Sequence, residues 1–198
     1  MGEPRPEILS EQFQQASTKI AEIIAGSKTP EDPTHSMNVR EWLLKLQPDA
    51  DEIQQLAALG HDIERAMPDR LKPEDFPEDY DAYKKAHAQR AGQILSQIVE
   101  EAGYGKESAE RIAQLVAEAE FSSEDPDIQT LSDADSISYF DNNLPFYVGR
   151  NGHGKKTKDK IRFMFDRCSP RAQAEIRKLM ESRSDLRDLF HEAISSVN

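Results

Sequence analysis

A single cysteine, Cys168, in 198 residues excludes an internal disulfide and any thiolate metal cluster, and fits a reducing compartment. No apolar run approaches the length of a bilayer span, mean hydropathy is -0.75, and the N-terminus has no hydrophobic leader core. "MGEPRP" also lacks the Ser or Thr that a myristoylation signal needs at position 6. These absences predict a cytoplasmic chain with no membrane partner. Positive charge is scarce as well. Lys and Arg number 25 against 37 Asp and Glu, a net -12, which speaks against nucleic acid as a partner because phosphate contacts need a positive face. Runs of β-branched residues long enough for strands are missing too.

What remains is helical periodicity, so the predicted fold class is all-α, a helical bundle. Expected helices cover residues 7–26, with Ile8, Phe13, Ile20, Ile23 and Ile24 on the apolar side and Gly26 as the stop. Others cover about 34–46 with Thr34 as cap, 49–66, 79–102, 106–121 and 127–141. "MPDRLKPEDFPEDY" carries Pro68, Pro73 and Pro77 and reads as a loop or lid, and "NLPFYVGRNGHGKKTK" reads as a second loop. Two or three further helices close the chain from about residue 157. One domain accommodates all of this: an N-terminal helix within 1–30 packed on a core of 31–145, with a basic loop and C-terminal helices over 146–198.

Several polar residues lie on apolar stripes. His35, Val39, Trp42, Leu43 and Leu46 follow helical spacing, as do Tyr83, His87, Ala91, Ile94 and Ile98. The doublet His61-Asp62 ends the run Ile53, Leu56, Ala57, Leu59. In "PDIQTLSDADSISYF", Asp135 shares a face with Ile128, Leu131 and Ser138, whereas Asp133 lies about 200° from Leu131 and is expected to point outward. A lone buried His more often bonds a backbone carbonyl than a metal. Two imidazoles and two carboxylates aimed inward from separate helices are, however, the donor set that a divalent ion of borderline hardness accepts.

"THSMNVREWLLKL", "LAALGHDIER", "AHAQRAGQIL" and "LSDADSISYF" resemble, in that order, four segments of the HD superfamily of metal-dependent phosphohydrolases, over residues 34–142. The resemblance implies an HD-domain helical bundle in which His35, His61, Asp62 and Asp135 ligate one divalent ion, of Mn, Co, Fe, Mg, Ni or Zn. Ala119 falls where two-metal relatives place another His, so a single ion is expected. The implied activity is hydrolysis of a nucleotide or another small phosphate ester by a metal-activated water. A non-catalytic metal- or nucleotide-binding sensor on the same fold is the alternative, and a nucleic-acid module ranks last on charge.

Supporting roles follow from position. Glu64 and Arg65 follow His61 by three and four residues, so Glu64 is a candidate base and Arg65 a phosphate contact, or both are a solvated helix end. His87 is open between a support for the ligands, a contact to phosphate or leaving oxygen, a fifth ligand and a core His. Arg90, three residues on, has a weaker claim to substrate. "GRNGHGKKT" misses a phosphate-binding P-loop because Lys156 stands where Ser or Thr must meet magnesium. Residues 149–167 nevertheless hold seven bases against two acids, a local +5. Arg150, Lys155 and Lys156 are therefore candidate substrate contacts, or else surface charge balance, and this segment and the Pro68–Pro77 loop are both expected beside the metal cleft. Cys168 is expected to be structural.

Overall fold

The computed structural model of the protein describes residues 9–77, 79–121 and 123–195. Among these the fold is all-α, ten α-helices with no strand. They are α1 (Glu11–Ala25), α2 (Asp32–Leu46), α3 (Glu52–Gly60), α4 (Tyr80–Glu101), α5 (Lys106–Glu118), α6 (Pro126–Ser138), α7 (Leu144–Asn151), α8 (Lys155–Asp166), α9 (Pro170–Glu181) and α10 (Arg187–Ser195). One continuous core draws on all ten, from Phe13 and Ile20 in α1 to Phe190 in α10. No helix is long and apolar enough to cross a membrane.

The short helix α3 lies at the centre. Asp51 accepts from Gln54 N while the Gln54 side chain accepts from Asp51 N, a reciprocal cap that starts the helix three residues later than its periodicity suggests. Every residue from Ile53 to Gly60 is buried. Each fully buried Leu or Ile contributes roughly 1.5–3 kcal/mol, so packing anchors the point where the chain leaves α3. It leaves at Gly60, not at residue 66. His61 and Asp62 form a turn, and a 3-10 turn follows from Ile63 to Ala66. The doublet therefore projects from a helix end, where successive side chains diverge more than on a helix face.

Around α3 pack α2, α4, α5 and α6. Close approach of α4 to α5 depends on Gly92, where a Cβ would come within 2.7 Å of the Ala113 carbonyl oxygen. In α6 the helical pattern does not run to 141. A π-helical turn from Tyr139 to Asn143 inserts an extra residue and places Asp141 to accept from Trp42 Nε1 at 3.0 Å and Asn38 Nδ2 at 3.1 Å. The stretch expected to be one long loop is mostly helical: Pro145 occupies the first turn of α7, where its missing N–H costs nothing, and only residues 152–154 separate α7 from α8. Three helices, α8 to α10, complete the chain. The first expected turn of α1, residues 7 and 8, lies outside the described residues, and α1 starts instead behind the Ser10 cap.

Candidate metal centre and its cleft

Four elements meet at one point: α2 with His35, the turn after α3 with His61 and Asp62, α4 with His87, and α6 with Asp135. His61 Nδ1 lies 3.0 Å from the Ala58 carbonyl oxygen. A carbonyl only accepts, so Nδ1 carries the proton and Nε2 turns its lone pair to the centre. His35 Nδ1 lies 2.8 Å from Ser138 Oγ, whose own proton points to the His35 carbonyl at 3.5 Å, so the same tautomer is selected. Both imidazoles thus present Nε2 inward, with ring centroids 5.2 Å apart.

Asp135 Oδ1 lies 3.1 Å from His35 Nε2 and 3.5 Å from His61 Nε2. One ligand atom from each of His35, His61 and Asp135 falls within 4.8 Å of the others, a group that could hold a metal ion. Asp62 stands beside this group and outside its 4.8 Å limit, with Oδ2 3.4 Å from His61 Nε2 and 3.9 Å from His35 Nε2. Bonds of about 2.1 Å put neighbouring ligand atoms roughly 3.0 Å apart in an octahedron and roughly 3.4 Å apart in a tetrahedron. The Asp135 edges of 3.1 and 3.5 Å and the Asp62–His61 edge of 3.4 Å fall close to these values, while the Asp62–His35 edge of 3.9 Å is wider. His61 Nε2 is in addition buried with no well-formed hydrogen bond among the described residues.

The charges are tightly matched. Burial opposes ionisation of Asp62, but Arg65, with His61 and His87, holds its carboxyl well below the usual range; Arg65 Nη1 is 2.6 Å from Asp62 Oδ2. Asp135 is likewise held low against burial, by His35, His61 and Arg167, whose Nη2 is 3.4 Å from Oδ2. Burial alone would lower His61, yet Asp62 and Asp135 outweigh it and raise the imidazole well above its ordinary value.

Behind the centre, His87 spans two carboxylates, with Nε2 3.3 Å from Asp62 Oδ1 and Nδ1 2.8 Å from Glu64 Oε2. These partners raise its pKa against the effect of burial. Glu64 is fully buried, and its Oε1 accepts from Leu71 N at 2.6 Å. It does not line the cleft, so a direct encounter with a substrate water, as its spacing from His61 suggested, is replaced by support of His87. Arg90 departs from expectation in the same way. It binds the Asp69 carbonyl at 2.7 Å and carboxylate at 2.6 Å and reaches Glu64 at 3.4 Å, pinning the Pro68–Pro77 loop to α4.

In front of the centre opens a cleft of about 460 Å³. Five cations border it: Arg65, Lys84, Arg150, Lys160 and Arg167. Arg150 is paired with Glu31 at 2.5 Å. Lys155 and Lys156 are not at the cleft. Both are exposed, Lys155 paired with Asp159 at 2.5 Å and Lys156 with Asn151 at 3.0 Å. No residue of the Pro68–Pro77 loop borders the cleft either; Tyr80, Asp81, Tyr83 and Lys84 of α4 take that place. Asp133 is buried rather than outward, accepting from Ser169 N at 2.9 Å and from Ser169 Oγ, so it anchors the start of α9. Cys168 is buried, its Sγ donating to the Met164 carbonyl at 3.1 Å, and burial pushes the thiol up to about 12.

Asp32 and Tyr139 also line the cleft, with no periodic or motif signal in the sequence, as do Lys160 and Arg167 from the basic stretch, whose charge alone is readable there. Arg167 bonds Ser132 Oγ at 2.9 Å and the Ala119 carbonyl at 3.0 Å as well as facing Asp135, so a guanidinium stands beside the second oxygen of that carboxylate. No curated protein and no solved structure matches the chain. Residues 10–190 match a family described as a domain of unknown function, DUF4202. That match takes in the centre, the cleft walls and every helix but the second half of α10, and the protein belongs to the DUF4202 family.

Proposed function

We propose that this protein is an HD-type, metal-dependent phosphohydrolase acting on a nucleotide or another small phosphate ester, with His35, His61, Asp62 and Asp135 holding one divalent first-row ion or Mg²⁺. The observation that carries this reading is the convergence of the His35 and His61 Nε2 atoms with Asp135, and Asp62 beside them, directly beneath a cleft bordered by cations. A bound divalent ion would supply Lewis-acid activation of water and of a phosphoryl oxygen.

The chain's own residues do the rest. Arg65, fixed on Asp62 and 3.6 Å from Asp32, and Arg167, fixed on Asp135, hold two guanidiniums at the cleft floor against phosphoryl charge. Lys160 has no carboxylate within ion-pair distance among the described residues; its Nζ rests over the Tyr139 and Phe163 rings at 5.5 and 5.3 Å. Burial lowers its pKa, so Nζ is suited to meet an anion and to pass a proton to a leaving oxygen. His87 orients Asp62, with Glu64 fixing the imidazole from behind.

A sensor without catalysis is the second reading, favoured by the burial of Glu64, which leaves no carboxylate free of cationic partners beside Asp62. Metal analysis and phosphate release decide between them. Protein loaded with Mn²⁺ or Co²⁺ is expected to release phosphate from at least one member of a broad panel of mono-, di- and triphosphates, and chelation to stop it. Nucleotide binding with no turnover on any member would replace the enzyme reading with the sensor.

A further inference from the structure

Three residues at one end of the cleft leave polar atoms unused. Glu31, Asp32 and Tyr139 all line it and are 3 %, 3 % and 5 % exposed. Each carboxylate is anchored through one oxygen only: Glu31 Oε1 by Arg150 at 2.5 Å, Asp32 Oδ2 by Ser27 Oγ at 2.6 Å. Glu31 Oε2, Asp32 Oδ1 and the Tyr139 hydroxyl have no hydrogen-bond partner among the described residues. A buried polar group left unpaired is costly, about 1–3 kcal/mol each. Three of them along one cleft wall mark a place built for something that brings hydrogen-bonding groups.

We infer that this end of the cleft is a subsite for the neighbouring hydroxyls of a sugar or polyol phosphate. The inference rests on the phosphohydrolase reading of the adjacent centre. A second cation does not suit the place, because Arg150 already neutralises Glu31 and Arg65 stands 3.6 Å from Asp32 Oδ1. Carboxylate oxygens that already face guanidiniums select neutral O–H donors over a further cation, and a phenol both donates and accepts. Position agrees with this. Glu31 precedes His35 by four residues, its carbonyl accepting from His35 N at 2.9 Å, so its backbone stands about 6 Å along the helix axis from that of His35. That is comparable to the reach from a sugar's phosphoryl group to its nearer hydroxyls. The Tyr147 ring, 6.2 Å from that of Tyr139, adds an apolar wall for the C–H face of such a molecule.

Calorimetric titration of chelator-treated full-length protein, in which turnover cannot intervene, tests this with D-ribose 5-phosphate and n-pentyl phosphate as matched probes. Ribose 5-phosphate is expected to bind at least tenfold more tightly. Tyr139→Phe and Asp32→Asn should each reduce that ratio threefold or more, and Tyr139→Phe should leave n-pentyl phosphate affinity unchanged. Tyr139→Phe discards a hydroxyl with no partner, so its melting temperature should not fall, which separates lost recognition from lost folding. Equal affinity for the two esters, binding of neither, or a preference that survives both substitutions overturns the inference. Tighter binding of O-phosphoethanolamine than of ribose 5-phosphate also overturns it, in favour of a cation subsite. If the ribose preference holds while no ester is hydrolysed with Mn²⁺ or Co²⁺ present, the subsite stands and the hydrolase reading falls.

Discussion

Replacing Asp62 with Ala strikes the centre at its most connected atom pair. Oδ2 faces Arg65 at 2.6 Å and His61 at 3.4 Å, and Oδ1 faces His87 at 3.3 Å, so the substitution takes one of two carboxylate neighbours from each of three cationic or cation-forming groups. Removing one partner of a buried pair costs about 3–5 kcal/mol. The Arg65 side chain is 36 % exposed and can recover hydration, which argues for the lower end, about 3 kcal/mol. For a chain of this length 1 kcal/mol corresponds to roughly 2–4 °C, giving a fall in melting temperature of about 6–12 °C in chelator. Metal separates this loss from a site effect. A free ion at 100 times its dissociation constant adds about 2.7 kcal/mol, so the wild type should gain roughly 5–10 °C with Mn²⁺ while Asp62→Ala gains nothing. Melting by circular dichroism with and without Mn²⁺, with metal content by plasma emission, reads both quantities. Asp133→Ala is the control. It breaks the anchor to Ser169 and should also destabilise the fold, yet keep its metal and its metal-dependent gain. A full equivalent of tightly held metal in Asp62→Ala refutes the ligand assignment, and metal loss confined to Asp133→Ala shows the wrong aspartate was chosen.

His61 gives a pH signature with a definite sign: its pKa is raised above 6.5 in the fold, so its protonation stabilises fully below that value and the contribution disappears as pH rises through the folded pKa. Chelated protein should therefore lose melting temperature from neutral into alkaline pH, while the increment from Mn²⁺ grows over the same range as the proton ceases to compete; an increment independent of pH contradicts the role of His61 Nε2. Neutralising Lys155 and Lys156 together should leave the Michaelis constant of any ester found unchanged, whereas Lys160→Met should raise it at least fivefold; the reverse order would return the substrate contact to the start of α8. Gly92→Ala should cost about 1–3 kcal/mol by forcing α4 from α5, seen in urea melts, and no loss would mean that the 2.7 Å approach relaxes freely.

The helices were legible because their apolar stripes are long and their caps are chemically distinct. Gly26 marks an end that the structure uses, whereas Thr34, expected as a cap, lies inside α2, which starts at Asp32. Legibility failed where a local signal competed with the stripe. Asp51 takes the cap of α3 from its proline-containing approach, and Gly60 ends the helix while the apolar pattern continues to Ile63. Pro145 read as a loop residue because proline within a helical pattern and proline in a helix's first turn look identical until the start of the helix is known.

The inward direction of His35 and Asp135 was legible for a related reason: it is set by Val39, Leu43, Ile128 and Leu131, the buried members of their stripes. Direction is not distance, and periodicity says nothing about where a long cation ends. Lys155 and Lys160 differ by five residues on the same helix, yet one is exposed on an i,i+4 ion pair and the other rests on aromatic rings at the cleft. Asp133 illustrates the same limit from the opposite side. A single-face projection marks it as outward only while α6 has one buried face, and α9 gives it a second. The C-terminal helices therefore do more than extend the bundle. By covering α6 they commit Asp133 to Ser169, and through Arg167 they place a guanidinium against Asp135, leaving Oδ1 as the oxygen turned toward His35 and His61. The geometry of the centre depends on residues that lie beyond every segment of the sequence that resembles a metal site.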